Sequence, residues 1–181
     1  MDDYSTEPRL VFKPLSQERY SEFYQIELGA YLDDLDFYLK HCTPNGSILE
    51  LGCGTGRVSH AMATKGFSVT GLDISSNMLA KAKANSTSPA QFICTDMTRF
   101  QLNQRYDSII TPHNSLNLLK DSDEVVNCLE CVINHLSENG VFLAQLCAVS
   151  ETVQKKSGEN IFQFQLLPLP EGGKLVKETI R

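Results

Sequence analysis

Three glycines at alternate positions follow a short apolar run and carry the strongest chemical signal in the chain. The run covers residues 48–51, and Gly52, Gly54 and Gly56 come directly after it. Glycine adopts positive φ and has no side chain, so a ligand can approach the main chain closely. A helix that begins after such a loop offers free N–H groups to a carboxylate or a phosphate. Arg57 occupies the next position, so the last glycine of a dinucleotide fingerprint is missing.

Two carboxylates end the next two apolar runs. Asp73 closes the second run, and Asp96 follows the third, with Met97 beside it. The ends of neighbouring strands in an open α/β sheet lie along one edge, so both side chains are predicted to reach one ligand. Asp73 can accept two hydrogen bonds from a ribose diol, and Asp96 can accept one from an exocyclic amine such as that of adenine. Ile74 and Met78 offer apolar faces to a purine.

Strand patterns alternate with helical patterns through the middle of the chain. The predicted strands cover residues 47–51, 67–72, 91–94, 106–111 and 141–146. Helices are predicted over residues 57–65 and 75–84, and a third begins after Asp121 and is ended by Asn139 and Gly140. Repeated strand–helix–strand units form a parallel sheet with helices on both faces. The expected fold is therefore α/β, with an open, doubly wound, mostly parallel sheet.

The two ends of the chain follow other patterns. Apolar and aromatic residues have helical spacing between residues 16 and 40, which predicts an N-terminal helical region. Residues 161–166 and 174–180 alternate between apolar and polar, which predicts an antiparallel hairpin appended to the sheet domain. We expect one structural domain with a helical cap at 1–46, an α/β core at 47–147, and a polar linker with the hairpin at 148–181.

Composition excludes several classes of partner and location. The 181 residues carry a net charge of −6 without a basic stripe, so a nucleic acid is not the expected partner. No apolar run approaches the roughly 18 residues that a membrane span needs. Six scattered cysteines without a secretory signal indicate reduced thiols in a cytoplasmic protein. Cys128 and Cys131 have CxxC spacing but lie in a helical pattern, so a buried helix face is expected and a metal site is not.

Together, three segments resemble one family. They are Glu-Leu-Gly-Cys-Gly-Thr-Gly at 50–56, Val-Thr-Gly-Leu-Asp-Ile-Ser at 69–75, and Asp-Met at 96–97. In combination they are similar to the class I S-adenosylmethionine (SAM)-dependent methyltransferases, and the resemblance covers about residues 20–146. It implies a Rossmann-like fold, SAM as cofactor and methyl transfer to an N, O or C atom of a small-molecule acceptor.

The resemblance also implies roles for individual residues. The methionine part of SAM would be held by Gly52, Gly54 and Gly56 with the backbone of Cys53. Glu50 would lie near its ammonium group, and Thr111 would face its amino group. Asp73 would hold the ribose, Asp96 and Met97 would hold the adenine, and Tyr20 with Tyr24 would cover the cofactor. His113 would lie beside the reacting methyl group. It is the candidate general base, which is needed when the acceptor arrives protonated.

The chain departs from the family pattern after its fifth predicted strand. The sheet of the family usually continues with two more strands, whereas residues 161–181 fit a small antiparallel extension over the active site better. We therefore expect that the usual last strands are absent. The fifth strand would then be an exposed edge, which favours a homodimer.

Two alternatives stay open. One is a SAM-binding domain that is truncated or catalytically weak and acts with a partner chain. The other is a Rossmann protein that binds a nicotinamide cofactor, which Arg57 disfavours.

Overall fold

The computed structural model describes residues 16–85 and 88–147, and the backbone of two strands at 162–168 and 174–180. The predictions for residues 1–15 of the cap and for the linker at 148–161 lie outside the described residues.

A five-stranded parallel sheet forms the centre of the molecule. Its strands are β1 (Ser47–Leu51), β2 (Ser68–Asp73), β3 (Gln91–Cys94), β4 (Tyr106–Thr111) and β5 (Leu136–Ala144). They lie in the order β3-β2-β1-β4-β5, and every neighbouring pair is parallel. The predicted open, doubly wound sheet is therefore confirmed. The strands β2 and β3 lie on one side of β1, whereas β4 and β5 lie on its other side. Ligands of such sheets bind in the crevice at the carboxyl ends of the strands where the strand order reverses, here between β1 and β4.

Helices connect the strands and precede them. They are α1 (Gln17–Leu28), α2 (Leu35–His41), α3 (Arg57–Thr64), α4 (Ser76–Ala84) and α5 (Ser122–His135), with a short 3-10 helix at Ser115–Leu118 after β4. Side chains at three helix starts accept a hydrogen bond from the first turn, namely Ser16 in α1, Ser75 in α4 and Asp121 in α5. These bonds satisfy N–H groups that the helix itself leaves without a partner. Within the described ranges, no helix is long and apolar enough to cross a membrane.

The core lies on both faces of the sheet. Successive strand residues point to opposite faces, and the fully buried Ile48 and Leu49 of β1 accordingly belong to different clusters. Ile48 packs in the cluster with Tyr38 of α2, whereas Leu49 packs in the cluster with Val132 of α5. Burial on both faces explains why the central strands are almost wholly apolar.

The junction of α5 and β5 differs from the prediction. Asn139 and Gly140 do not end the helix, because α5 already ends at His135 and β5 begins at Leu136. The buried His135 accepts a hydrogen bond through Nε2 from the Leu102 N–H at 2.9 Å, which ties the end of the helix to the loop before β4. Pairing between β4 and β5 shifts register after its first pair, so the predicted turn residues lie in an irregular part of the strand.

Two further strands pair with each other. β6 (Phe162–Pro168) and β7 (Lys174–Ile180) are antiparallel and form a separate two-stranded sheet. The sequence predicts a hairpin appended to the sheet domain; the five-stranded sheet itself contains parallel pairs only, and the two antiparallel strands are not part of it. The main-chain N–H and C=O groups with which β6 and β7 face each other are paired within this hairpin.

Candidate active site

A cavity of about 1350 Å³ opens at the carboxyl ends of β1 to β4. Its wall includes ten of the residues that the sequence indicated, namely Tyr20, Tyr24, Gly52, Gly54, Asp73, Ile74, Met78, Asp96, Met97 and His113. The loops that follow four strands supply most of them, and α1 supplies the two tyrosines. The cavity therefore lies in the crevice that the strand order predicts.

The loop after β1 brings bare main chain to this cavity. Gly52 and Gly54 have φ of 68° and 55°, a region that side chains disfavour. A Cβ at Gly54 would lie 3.5 Å from Cε1 of Tyr24, and one at Gly52 would lie 2.8 Å from Ser115. The loop thus leaves only a narrow space beneath the tyrosine of α1.

Asp73 is held at the rim by main-chain donors. Its Oδ2 accepts from the Gly54 N–H at 2.7 Å, and its Oδ1 accepts from the Ser75 N–H at 2.8 Å. A carboxylate has about four lone-pair positions. Roughly half of them therefore stay available for a diol.

Asp96 is fixed by a local turn. Its Oδ1 accepts from the N–H of Thr98 at 2.9 Å and from the Thr98 hydroxyl at 2.8 Å. The N–H bond is the main reason that the pKa of the Asp96 carboxyl lies below its usual value. The side chain is thus an ionised acceptor at neutral pH, as hydrogen bonding to an amine requires.

Helix α1 covers the glycine loop. The rings of Tyr20 and Tyr24 lie 6.4 Å apart, and both line the cavity. Burial raises the pKa of Tyr24 to about 12, so its hydroxyl stays neutral and can donate a hydrogen bond. The predicted tyrosine cover is therefore placed over the loop, while its role in binding stays a prediction.

His113 lies on the cavity wall directly after β4. Both His113 and Asn114 have positive φ, 50° and 60°. Two consecutive non-glycine residues in this region cost conformational energy, and such strain is concentrated at functional sites. The His113 N–H donates to Oε1 of Gln145 at 3.0 Å, and the imidazole makes an edge contact with the ring of Tyr31. These contacts hold the imidazole at the rim.

Four predicted residues do not reach the cavity wall formed by the described residues. They are Glu50, Cys53, Gly56 and Thr111. Gly56 immediately precedes α3, and a Cβ there would lie 2.9 Å from both His60 and Phe92, so the absence of a side chain allows close packing. The Cys53 side chain packs under Gly71 of β2, and Thr111 is fully buried in a central strand. A direct side-chain contact of Thr111 with a ligand in this cavity is not supported, because no part of the side chain is exposed.

Glu50 lies beneath the glycine loop. It is 3% exposed and accepts a hydrogen bond from the Ser59 hydroxyl. Burial raises its pKa to about 7, although the Ser59 bond and the nearby Arg57 oppose this shift. The carboxyl is therefore not part of the cavity wall that the described residues form.

Other wall residues escaped the sequence prediction. They are Gln17, Phe23, Glu27 and Leu28 on α1, Leu72, Ser75, Thr95 and Thr98 at strand ends, and Ser115, Leu118, Leu119, Lys120 and Glu124 after β4. The α1 set shares one helix face with Tyr20 at spacings of three and four residues, so periodicity alone could have found it. The set after β4 has no local pattern, because its position depends on how the loop packs.

Comparison with known proteins identifies the family. A family model described as a methyltransferase domain matches residues 48–140, which is just over half of the chain. The chain belongs to the class I SAM-dependent methyltransferases. The recognition from three short motifs, with SAM as the family's cofactor, is thereby confirmed.

Curated relatives of this methyltransferase are longer than the chain itself. The protein YqeM of Bacillus subtilis (strain 168) is 38% identical over 101 residues, which are 54% of this chain and 41% of YqeM. A dTDP-3-amino-3,4,6-trideoxy-alpha-D-glucopyranose N,N-dimethyltransferase of Streptomyces venezuelae is 28% identical over 122 residues, which are 66% of this chain and 50% of that enzyme. The chain therefore spans about half the length of the curated relatives that it matches.

Solved structures of methyltransferases have the same fold. Streptomyces venezuelae DesVI superposes with a TM-score of 0.72 at 19% identity, over 93% of this chain and 84% of DesVI. The glycopeptide N-methyltransferase MtfA in complex with SAM has a TM-score of 0.58 at 27% identity, over 81% of this chain and 64% of MtfA. The first similarity supports the fold, and the second adds a SAM complex at higher sequence identity.

Proposed function

We propose that this methyltransferase binds SAM along the carboxyl edge of its sheet and transfers the methyl group to a small-molecule acceptor. One observation carries the proposal: Gly54, Asp73 and Asp96 face the same cavity. They provide a main-chain cradle and two anionic anchors, which are the groups that an adenosyl sulfonium needs. The apolar side chains of Ile74 and Met78 would lie against the adenine.

The protein's own contribution is positioning. SAM supplies a methyl group that its positive sulfur has already activated. Asp73 would fix the ribose and Asp96 the adenine, while Tyr20 and Tyr24 on α1 exclude water from the cavity. Such alignment of two reactants can lower a barrier by roughly 7–11 kcal/mol. His113 would accept the proton that a protonated acceptor loses, which contributes about 10²–10⁴-fold.

The size and charge of the cavity favour a particular acceptor. Its volume exceeds the ~300–1,000 Å³ of ordinary single-ligand pockets, so space for an acceptor remains beside the cofactor. The wall that the described residues form carries four carboxylates, Glu27, Asp73, Asp96 and Glu124, against one lysine. That lysine, Lys120, lies 3.4 Å from Glu124. A neutral or cationic acceptor therefore suits this wall better than an anionic one.

Amines are the acceptor class that we propose. An amine is cationic before it loses its proton, so the acidic wall attracts it and His113 can take that proton. Relatives support this choice, since two matching enzymes are N,N-dimethyltransferases of amino sugars and MtfA is an N-methyltransferase. Six cysteines without a disulfide fit the proposed cytoplasmic location.

A second candidate is a SAM-binding domain that a partner chain completes. The outermost strand β5 favours it, because Val141, Phe142 and Leu143 are only half-buried. An open strand edge can pair with another chain. Light scattering of the purified chain would show a dimer if β5 pairs with a second copy. A monomer would mean that the partner chain in this second candidate is a different protein.

Cofactor binding is tested first by thermal shift and calorimetry with SAM, S-adenosylhomocysteine (SAH) and NAD. A ligand at 100 times its dissociation constant stabilises the folded state by about 2.7 kcal/mol. We expect a shift with SAM and SAH. A shift with NAD alone would overturn the proposal.

A pair of glycine variants makes the test specific to the cavity. Gly54→Ala and Gly66→Ala both place a side chain at positive φ, 55° and 96°, but only Gly54 lines the cavity. Both variants should lose a similar amount of stability, about 1–2 kcal/mol. Only Gly54→Ala should weaken SAH binding, by roughly tenfold, since 1.4 kcal/mol of lost contact corresponds to that factor. Transfer of a labelled methyl group to pools of amines, phenols and carboxylates then tests the acceptor class, and labelling of carboxylates alone would refute it.

A further inference from the structure

Arg57, the first residue of α3, makes a dense set of contacts with the segment between α1 and α2. Its Nη1 and Nη2 donate to Oδ1 and Oδ2 of Asp34 at 2.6 and 2.7 Å. Nη1 also donates to the Tyr31 carbonyl at 2.6 Å, and the guanidinium lies 5.2 Å from the centre of the Tyr31 ring. Two parallel charge-assisted hydrogen bonds fix both distance and orientation.

This ion pair is shielded from solvent, unlike the ion pair that joins α1 to α4. The side chains of Arg57 and Asp34 are 5% and 8% exposed. The pair of Glu22 on α1 and Lys81 on α4 is 3.3 Å long, and its side chains are 46% and 36% exposed. A shielded bidentate pair resists screening and holds its geometry, whereas an exposed pair contributes little. The difference makes the second pair a matched control for the first.

The contacts of Arg57 connect three parts of the cavity. Arg57 follows Gly56 directly, so its backbone continues the glycine loop. Asp34 and Tyr31 belong to the segment after α1, the helix whose tyrosines cover that loop. The Tyr31 ring that Arg57 contacts lies against the imidazole of His113, with centroids 6.2 Å apart.

We infer that Arg57 and Asp34 form a clasp that holds residues 29–34, and with them α1, closed over the cofactor cavity. Arg57 is thereby a positioning residue: it does not line the cavity, and it acts through Tyr31 and the end of α1. Lysine cannot replace it, because an ammonium group cannot make the two parallel bonds to Asp34. The inference rests on the proposed SAM site, which gives the closed segment its purpose.

Fluorescence can report the clasp without any substrate. The chain contains no tryptophan, and Leu32, in the clasped segment, is 45% exposed. Leu32→Trp therefore introduces a single reporter beside the clasp. In this background, the experiment compares three variants, namely Arg57→Lys, Asp34→Asn and the control Lys81→Met. The quantities to be measured are acrylamide quenching and the dissociation constant of SAH.

We expect Arg57→Lys to increase acrylamide quenching about twofold and to weaken SAH binding about tenfold, because the bidentate contact is lost. Asp34→Asn preserves the shape of the side chain and removes its charge, so it should weaken binding about threefold. Lys81→Met should leave both quantities unchanged, because its ion pair is exposed.

Circular dichroism and a thermal melt establish whether each variant is folded. If Arg57→Lys does not fold, Asp34→Asn still tests the clasp. Quenching and SAH affinity equal to those of the parent in a folded Arg57→Lys or Asp34→Asn protein would overturn the clasp. Failure of the parent itself to bind SAH would instead overturn the proposed function. The quenching comparison would in that case still decide whether Arg57 holds the segment.

Discussion

Two halves of the cavity are built in different ways. The strand-edge half consists of Gly52, Gly54, Asp73 and Asp96. The roof half consists of Tyr20, Tyr24, His113 and Leu118. Residues of the first half follow three neighbouring parallel strands, so the sheet itself brings them together. Those of the second half come from α1 and from the segment after β4, which meet only through tertiary packing.

The two halves also use different chemistry. The strand-edge half offers main-chain groups and carboxylates that local hydrogen bonds already hold in place, such as the bond from the Gly54 N–H to Asp73. The roof half offers aromatic and aliphatic side chains that can change without disturbing the sheet; Leu118, for example, is 80% exposed. We infer that the first half determines which cofactor binds. In the second half, Tyr20 and Tyr24 cover that cofactor, and the segment after β4 determines the acceptor, since variable loops on a fixed scaffold carry specificity.

The largest effect is expected at Asp73. Asp73→Ala removes two main-chain hydrogen bonds and the proposed contact with the ribose, so SAH affinity should fall about 100- to 1,000-fold, as expected when charge-assisted bonds are lost. Calorimetry measures the affinity, and Asp73→Asn, which keeps the shape, should show a smaller loss. Unchanged affinity in a folded Asp73→Ala protein would remove the ribose assignment.

His113→Asn should act on turnover rather than on cofactor affinity. Asparagine tolerates the positive φ of 50° at this position, so the backbone can persist while the imidazole is lost. Methyl transfer should slow by about 10²-fold, and SAH binding should change less than twofold. Full turnover in His113→Asn would show that the imidazole is only part of the wall.

Glu50 should affect the pH dependence of stability. The folded-state pKa of about 7 lies above the ordinary value of 4.5, so between these values the folded state binds more protons than the unfolded state. The free energy of unfolding should therefore fall as the pH rises through this window, by up to ~3 kcal/mol, and should not change further above it. Glu50→Gln can still accept the Ser59 bond and should lack this contribution. Urea titrations at pH 5 and pH 8 test the difference, and equal pH dependence in both proteins would refute it.

Leu118 should give the smallest effect, and one confined to the roof half. Leu118→Ala should raise the KM of the acceptor about two- to fivefold through lost apolar contact and leave SAH affinity unchanged. Ile133→Ala on α5 is the matched control, because Ile133 is 67% exposed and lies outside the cavity wall. A change in SAH affinity in Leu118→Ala would show that the segment after β4 also binds the cofactor.

The strand-edge half could be predicted from sequence because its signals are local. The bounds of β1, β3 and β4 agree with the prediction, since glycine, proline and acidic residues mark the ends of apolar runs. Asp73 and Asp96 could be placed because residues that end parallel strands share one edge. Thr111 is expected in the site only from the family resemblance, and the structure buries its side chain completely.

The contacts that position the roof half, and the later part of the chain, could not be predicted in the same way. The shielded pair of Arg57 and Asp34 joins residues that lie far apart in sequence, and no local pattern indicates it. The end of α5 depends on the contact of His135 with Leu102, which outweighs the turn signal of Asn139 and Gly140. Tertiary contacts determine both features.

A crystal structure of the complex with SAH tests the central claim most directly. The account predicts that the ribose lies within hydrogen-bonding distance of the Asp73 carboxylate, that the adenine lies beside Asp96, and that the amino-acid part of SAH lies along Gly52 and Gly54. An adenosyl group bound away from Asp73 and Asp96 would contradict the account.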